Sequence, residues 1–191
     1  MSERANRIEA SLGKSAAAIE ALRNQAPVIA QIAEEIAESL RKGGTLFLCG
    51  NGGSAAQCQH IAAEFTGRFR LERRGLRAVS LTTDTSVLTA IGNDYGFDQV
   101  FARQLEALAK RDDVLIGLST SGNSANVVHA FEKAREIGVT TIALIGPKGG
   151  DLAGLADVCL AAPGDETSVV QECHIAALHT VCEIAERDLS N

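Results

Sequence analysis

The apolar residues near the start of the chain recur every three or four positions. They form two stripes between residues 3 and 42: Ile8, Leu12, Ile19 and Leu22, then Ile29, Ile32, Ile36 and Leu40. This spacing predicts two amphipathic helices. Pro27 suits the start of the second helix, and Gly43-Gly44 suits its end. A subunit interface and a place in the core would each explain these helices.

From Thr45 onward, short apolar runs alternate with helical stretches. The predicted strands are 46–49, 78–81, 114–118, 141–145 and 158–161; the predicted helices are 55–65, 85–91, 97–109, 125–137 and 167–189. This alternation indicates a parallel sheet with helices on both faces. We expect an α/β three-layer sandwich of about five strands, flavodoxin-like or Rossmann-like. With no linker in the sequence, the N-terminal helices (1–43) and the core (44–191) are expected to form a single domain, 1–191.

Composition and charge narrow the class of protein. The net charge is −6, and basic and aromatic residues do not interleave, which argues against a nucleic-acid partner. No apolar run approaches the roughly 20 residues that span a bilayer, so no membrane partner is expected. The first ten residues are polar and do not resemble a signal peptide. The five cysteines lack CxxC spacing and are expected to be reduced, which favours a cytoplasmic location.

A glycine-rich segment follows the first predicted strand. Residues 50–55 (GNGGSA) match the G-x-G-x-x-A form of the dinucleotide-binding fingerprint. That motif requires an acidic residue at the end of the second strand, about 20 residues on, whereas the first acid after 78–81 is Asp84. Dinucleotide binding is therefore the weaker alternative, and a Walker A loop is excluded because no Gly-Lys-Ser/Thr follows.

A second loop with the same strand–loop–helix context is rich in hydroxyl groups. Four of them lie within six residues: Ser119, Thr120, Ser121 and Ser124. Hydroxyl donors, backbone N–H groups and a helix N-terminus together suit a phosphate monoester. A polar turn ending in a helix cap is the alternative, but a cap needs only one hydroxyl. In open α/β sheets such loops border one crevice at the carboxyl ends of the strands.

Histidine and carboxylate side chains recur on two predicted helices. His60 and Glu64 lie four residues apart and share a helix face, while Gln171 and His179 lie about two turns apart on the last helix. A carboxylate with imidazoles can transfer protons or bind a divalent metal such as zinc. An exposed, helix-stabilising His/Glu pair is the alternative. We assign His129 a structural role and leave His174 between a structural and a supporting role.

Two further features give weaker signals. Asn93-Asp94 is a polar pair in a predicted glycine-flanked turn, and the turn alone explains it. Arg68 begins a cluster of arginines that is typical of a solvated loop. One arginine of this cluster could contact an anionic ligand.

Four segments occur in this order and are specific in combination: CGNGGSAAQCQHIAAEF, TAIGNDYGF, STSGNSANV and QECHIAALH. Together they resemble the sedoheptulose-7-phosphate isomerases (phosphoheptose isomerases), which have the sugar-isomerase (SIS) fold. The resemblance implies an aldose–ketose isomerase that converts D-sedoheptulose 7-phosphate to D-glycero-D-manno-heptose 7-phosphate. That product supplies nucleotide-activated heptose for bacterial surface polysaccharide such as lipopolysaccharide.

The resemblance also implies roles for individual residues. The sugar would contact Asn51, Gly52, Gly53, Ser54, Asn93 and Asp94, with Glu64 and Gln171 also at the substrate. The phosphate would contact Ser119, Thr120, Ser121 and Ser124, with Arg68 nearby. One zinc ion per subunit would be held by His60, Glu64, Gln171 and His179. Glu64 and His179 would be the acid–base pair, and no nucleotide cofactor would be needed.

The same resemblance implies a homo-oligomer, a tetramer, acting on a small sugar phosphate. It also leaves a different class open, because some SIS-fold relatives are non-catalytic partners of the bacterial replication initiator or sugar-phosphate sensors. The relatives of that kind most similar to this chain lack the helix carboxylate and the last histidine. This chain has both, as Glu64 and His179, which favours the isomerase.

Overall fold

A computed structural model describes residues 2–190 of the chain, so the outermost residue at each end of the predicted domain lies outside the described residues. The strands are β1 (Leu46–Gly50), β2 (Ala78–Ser80), β3 (Val114–Ser119), β4 (Thr140–Ile145) and β5 (Val158–Ala161). The helices are α1 (Glu3–Leu22), α2 (Ala26–Arg41), α3 (Gly53–Thr66), α4 (Thr85–Asp94), α5 (Ala102–Leu108), α6 (Ala125–Ile137), α7 (Asp151–Leu155) and α8 (Thr167–Ser190). Short 3₁₀ turns lie at Arg23–Gln25 and Phe97–Gln99.

The five strands form one parallel sheet in the order β2-β1-β3-β4-β5. From β1 the chain moves first to one side of the sheet and then to the other. The loops that follow β1 and β3 therefore diverge and leave a crevice at the carboxyl edge, where ligands bind in open α/β sheets. The predicted parallel α/β sheet is confirmed.

Successive side chains of each strand enter two different cores. Leu46 and Leu48 of β1 pack into a cluster with α1, α2, α3 and α8, whereas Phe47 and Cys49 pack into a cluster with α5, α6 and α7. This alternation follows from the period of two in a strand. Both faces of the sheet are covered, so the predicted three layers are confirmed.

Three elements differ from the prediction by more than two residues. The expected helix at 97–109 is a 3₁₀ turn followed by α5, because the chain turns at Val100 and Phe101 to bury both side chains. The five-residue helix α7 is too short to show a helical period and was not predicted. α4 continues to Asp94, with the Tyr95 N–H bonded to the Ile91 carbonyl, so Asn93-Asp94 ends a helix and does not form a turn.

The two N-terminal helices differ in how their apolar stripes are used. All four stripe residues of α2 are buried, so that helix has a place in the core. In α1, Leu22 is buried but Ile8 and Leu12 are 56% and 66% exposed. None of the helices described between residues 2 and 190 has the length and apolar character needed to cross a membrane. The five cysteines are free, as expected.

Candidate functional site

The loops after β1 and β3 border the crevice between these strands. A cavity of about 320 Å³ lies there, lined by Asn51, Gly52, Gly53, Ser54, Leu118, Ser119, Thr120, Ser124, Thr167 and Gln171. Seven of the ten had been singled out as candidate binding residues from the two loops, and Gln171 joins them from α8. Leu118 and Thr167 were missed, although Thr167 carries a hydroxyl at the first turn of a helix, as the predicted residues do.

The hydroxyl groups of the β3 loop are not used as an ordinary helix cap. Ser124 precedes α6, yet its hydroxyl makes no capping bond and lies 2.8 Å from the Ser119 hydroxyl. The Ser121 hydroxyl lies 3.4 Å from that of Ser119 and accepts the Asn123 N–H at 3.2 Å. The N-terminus of a 13-residue helix thus faces a cluster of hydroxyls, an arrangement that suits an anion.

A second loop supports this hydroxyl cluster from behind. Gly122 has φ +71°, and a Cβ there would lie 1.7 Å from the carbonyl oxygen of Gly149. The Gly122 carbonyl accepts the Leu152 N–H at 3.1 Å, and the Asn123 side-chain oxygen accepts the Asp151 N–H at 2.9 Å. Only glycine allows this close approach.

A reciprocal amide pair joins the two loops that border the cavity. The Asn51 side chain donates to Asn126 and accepts from it, both at 2.8 Å. Asn126 lies in the first turn of α6 and is only 4% exposed. Sequence reasoning missed it, because an asparagine at a helix start has the simpler reading of a polar residue near a cap.

Gln171 contacts the first turn of α3. Its side-chain nitrogen donates to the Ser54 hydroxyl at 3.3 Å, and a Cβ on Gly53 would lie 2.8 Å from its side-chain oxygen. The backbone carbonyl of Gln171 accepts a bond from the Gln57 side chain at 2.7 Å. These contacts hold the start of α8 against α3.

Farther along the same two helices, two imidazoles and a carboxylate converge. The Nε2 atoms of His60 and His179 lie 2.8 Å apart, and Glu64 Oε1 lies 3.4 Å from His60 Nε2. The three ligand atoms all lie within 4.8 Å of one another. Gln171, the fourth predicted ligand, lies about two turns earlier on α8, with its amide at Ser54.

The donor set of this cluster fits zinc. Two imidazole nitrogens and a carboxylate oxygen are ligands that zinc takes in proteins, and three protein ligands leave a position open for substrate. Burial lowers the pKa of His179, and the neighbouring His60 lowers it further, while Glu64 opposes them. A lowered pKa favours the neutral imidazole, which is the form that ligates a metal.

Ser121 lies in the β3 loop but is not among the described residues that line the cavity. Three other predicted binding residues, Arg68, Asn93 and Asp94, lie on exposed positions outside both loops. Arg68 pairs loosely with Glu72 at 3.7 Å, and Asn93 donates to Asp94 at 2.8 Å at the end of α4. None of the three is among the described residues that line the cavity. The geometry of this chain therefore does not bring them to the two loops.

The acidic residue that dinucleotide binding would require after β2 is engaged in a helix cap. β2 ends at Ser80, and the first acid beyond it, Asp84, accepts the Val87 N–H at 3.0 Å as the N-cap of α4. A carboxylate engaged in a cap is not placed to bind a ribose.

The remaining histidines are structural. The ring of His129 lies 2.9 Å from the Gln99 side chain, where α6 meets a 3₁₀ turn. His174 is fully buried, and its Nε2 lies 3.1 Å from the Ile145 carbonyl.

Comparison with known proteins agrees with this geometry. Residues 12–146 match the family model described as SIS domain. A curated phosphoheptose isomerase from Roseiflexus sp. (strain RS-1) is 55% identical, over 95% of this chain and 91% of the relative. The solved phosphoheptose isomerase of Neisseria gonorrhoeae is 45% identical with a TM-score of 0.91, covering 95% of this chain and 98% of that one.

A second solved structure, a phosphoheptose isomerase from Francisella tularensis, is 36% identical with a TM-score of 0.93, covering 98% of this chain and all of that one. These likenesses extend over the N-terminal helices, the sheet and α8. The chain belongs to the SIS-domain family and, within it, to the phosphoheptose isomerases.

Proposed function

We propose that this protein interconverts D-sedoheptulose 7-phosphate and D-glycero-D-manno-heptose 7-phosphate, the step that begins the supply of activated heptose for surface polysaccharide. One observation carries the proposal. Glu64 and His179 converge on α3 and α8, the two helices whose N-terminal turns border a crevice formed by two polar loops. Proton transfer at a carbon atom needs a base and an acid so placed, beside a site that holds the rest of the substrate.

The substrate's phosphate is assigned to the β3 loop. Ser119, Thr120, Ser121 and Ser124 supply hydroxyl donors, and the N-terminus of α6 supplies a favourable dipole. The sugar is assigned to Asn51, Gly52, Gly53, Ser54 and Gln171 along the same cavity. Contacts from Arg68, Asn93 and Asp94 are proposed on the family likeness alone.

The reaction is formally an intramolecular oxidation and reduction. In the direction of the aldose, Glu64 removes a proton from C1 of the ketose and returns it to C2 through an enediol(ate). His179 serves the oxygen atoms: it takes the proton of the C1 hydroxyl, which becomes the new carbonyl, and gives a proton to the oxygen at C2, which becomes a hydroxyl. C1 is oxidised and C2 reduced, so the electrons balance within the sugar.

The cluster of His60, Glu64 and His179, with Gln171 as a further ligand, would hold one zinc ion per subunit. When bound, such an ion supplies Lewis-acid polarisation of the substrate's carbonyl oxygen. The supporting observation is the convergence of the three ligand atoms within 4.8 Å.

We further propose that residues 1–191 form a single domain that assembles as a tetramer in the cytoplasm. α1, α2 and α8 share one apolar cluster with the sheet, which supports a single domain. The exposed stripe of α1 supports assembly. The free cysteines fit a reducing compartment.

The test is turnover of sedoheptulose 7-phosphate by the wild type, by Glu64→Gln and by Glu38→Gln. Loss of a positioned base should lower kcat by roughly 10²–10⁴-fold. Glu38 on α2 provides the matched control, because its exposed carboxylate pairs, within the described part of the chain, with Lys42 alone. Thermal unfolding checks that all three proteins fold.

Wild-type turnover that Glu64→Gln loses and Glu38→Gln keeps would support the proposal. Absence of turnover by a folded wild type supplied with zinc would contradict it. Sugar-phosphate binding without turnover would then favour the non-catalytic binding protein.

A further inference from the structure

A buried carboxylate on α8 organises the loop that follows α3. Glu186 is 2% exposed. Its two oxygens accept the backbone N–H groups of Phe69, Arg70 and Leu71 at 2.9, 2.7 and 2.9 Å. One side chain therefore fixes three consecutive residues of the loop at 67–73.

Glu186 also pairs with Arg73, whose side chain is 8% exposed. The Arg73 Nε donates to Glu186 at 2.9 Å, while its terminal nitrogens donate to the carbonyls of Glu64 and Phe65, each at 2.9 Å. These carbonyls belong to the last turns of α3, where the helix itself supplies too few partners. The ion pair thus ties the end of α3 to α8.

The two helices joined in this way carry the reacting groups. Glu64 and its neighbour Phe65 present their carbonyls to Arg73, and His179 lies seven residues, about two turns, before Glu186 on the same face of α8. The Arg73–Glu186 pair therefore joins the two segments that carry Glu64 and His179.

The fixed loop also places an aromatic ring on the imidazole. The ring centroids of Phe69 and His179 lie 5.8 Å apart, with 25° between the planes. The backbone of Phe69 is held by Glu186 through its N–H. An aromatic neighbour in this arrangement restricts the rotation of the imidazole.

We propose that Glu186 and Arg73 are positioning residues for His179, acting through Phe69 and through the spacing of α3 and α8. The inference rests on the proposed function in one respect, namely that His179 takes part in the reaction. A misplacement of about 1 Å in a reacting group can cost roughly 10²-fold in rate, so such a support has a direct use.

The charge at Glu186 is consistent with this role. Burial opposes the charge, but three N–H bonds and Arg73 outweigh it, so the pKa of Glu186 lies below its ordinary value. The carboxylate is ionised at neutral pH and accepts all four bonds. A buried ion pair adds little net stability compared with apolar side chains of the same volume, so stability alone gives weak reason for placing one here.

The experiment measures the histidine rings directly. The protein with ¹⁵N-labelled histidine gives imidazole signals for its four histidines, and His179→Gln assigns that of His179. The variants are Glu186→Gln, Phe69→Leu and Phe69→Tyr. Glu38→Gln is the matched control, since it removes the same charge from α2, where the exposed Glu38 carboxylate pairs with Lys42.

Glu186→Gln and Phe69→Leu should shift the His179 signal, because each changes the aromatic ring current at the imidazole. Phe69→Tyr and Glu38→Gln should retain the wild-type signal, and the signals of His129 and His174 should be unmoved in every variant. In turnover, kcat should fall roughly 10–10²-fold in the first two variants. KM and the affinity for inorganic phosphate should stay near the wild-type values, because the β3 loop is untouched.

Folded Glu186→Gln and Phe69→Leu proteins with an unchanged His179 signal would overturn the inference. Phe69→Leu keeps an apolar side chain and the loop's backbone bonds, so it tests the idea even if Glu186→Gln fails to fold. The NMR readout needs no turnover. Failure of the proposed isomerase activity would therefore be seen separately, as an inactive wild type with the expected His179 shifts.

Discussion

At the scale of single residues, His174 shows how burial sets a protonation state. It is fully buried on α8, and its Nε2–H donates to the Ile145 carbonyl, which can only accept. Its Nδ1 has no partner among the residues described. Burial lowers the pKa of His174 to about 4, although the bond to Ile145 partly opposes the shift. The ring is therefore neutral in the folded protein at ordinary pH.

This lowered pKa predicts acid sensitivity. The unfolded chain takes up a proton near pH 6.5, whereas the folded chain resists it down to about pH 4. The contribution of neutral His174 to the free energy of unfolding is thus complete above pH 6.5 and is lost as the pH falls from 6.5 to about 4. At 1.36 kcal/mol per pH unit the loss is about 3 kcal/mol. Urea unfolding between pH 7 and pH 4 measures it.

His174→Gln is the comparison, because the glutamine amide can donate to Ile145 but does not titrate. Carboxylates such as Glu186 add their own acid sensitivity in both proteins, so the difference between the two curves isolates His174. Parallel curves for the wild type and His174→Gln would refute the assignment.

The residue types of the site could be predicted, but several partners could not. Ser119, Ser124 and His60 stand out because hydroxyl and imidazole groups at those positions suggest chemistry. Asn126 and Glu186 do not stand out, since their roles come from residues 75 and more than 110 positions away. Spacing along a helix or loop carries no information about such contacts.

At the scale of elements, the β3 loop depends on its neighbour at 146–150. Gly122→Ala would place a Cβ 1.7 Å from the Gly149 carbonyl oxygen, which is a severe clash, at a residue whose φ is +71°. Backbone strain of this kind costs about 1–3 kcal/mol. We expect the free energy of unfolding to fall by about 2 kcal/mol. Because the strained loop carries the phosphate ligands, we also expect the affinity for inorganic phosphate to fall about tenfold, which is a loss of about 1.4 kcal/mol of binding free energy.

Gly154→Ala is the control for that change. Gly154 lies in α7, directly after the supporting loop, and an added Cβ meets nothing within 4 Å. Alanine favours a helix by up to about 1 kcal/mol over glycine, so this variant should be as stable as the wild type or more so. Calorimetry gives both the binding and the unfolding values; equal phosphate affinity in the two variants would exclude a role for the close approach.

Elements whose apolar residues recur with a clear helical or strand period were predicted well, whereas elements whose limits are set by tertiary contacts were not. α6 and β5 have the predicted limits, because their apolar spacing and flanking turns are local features. The break between the 3₁₀ turn at Phe97–Gln99 and α5 comes from the burial of Val100 and Phe101, which the helical period hides.

At the scale of the whole molecule, α1 has an apolar stripe that the described part of the chain leaves partly uncovered. Ile8 and Leu12 are more than half exposed, on a largely apolar face of α1 that also carries Ala5 and Ala16. The C-terminal part of α1 is anchored in the core, where Ala18 and Leu22 are buried, and Lys14 at mid-helix pairs with Glu166 just before α8. An ordered helix with an uncovered apolar stripe suits contact with a second copy of the chain.

The proposed tetramer therefore predicts a specific mutational effect. Light scattering should give the wild type about four times the 20.0-kDa mass of the chain. Leu12→Lys should lower that mass, because burying an unpaired charge at the interface is costly. Ser11→Lys adds the same charge about 100° around the helix and should leave the assembly intact. A monomeric wild type would contradict assembly, and equal disruption by both lysines would show that the stripe is not the contact surface.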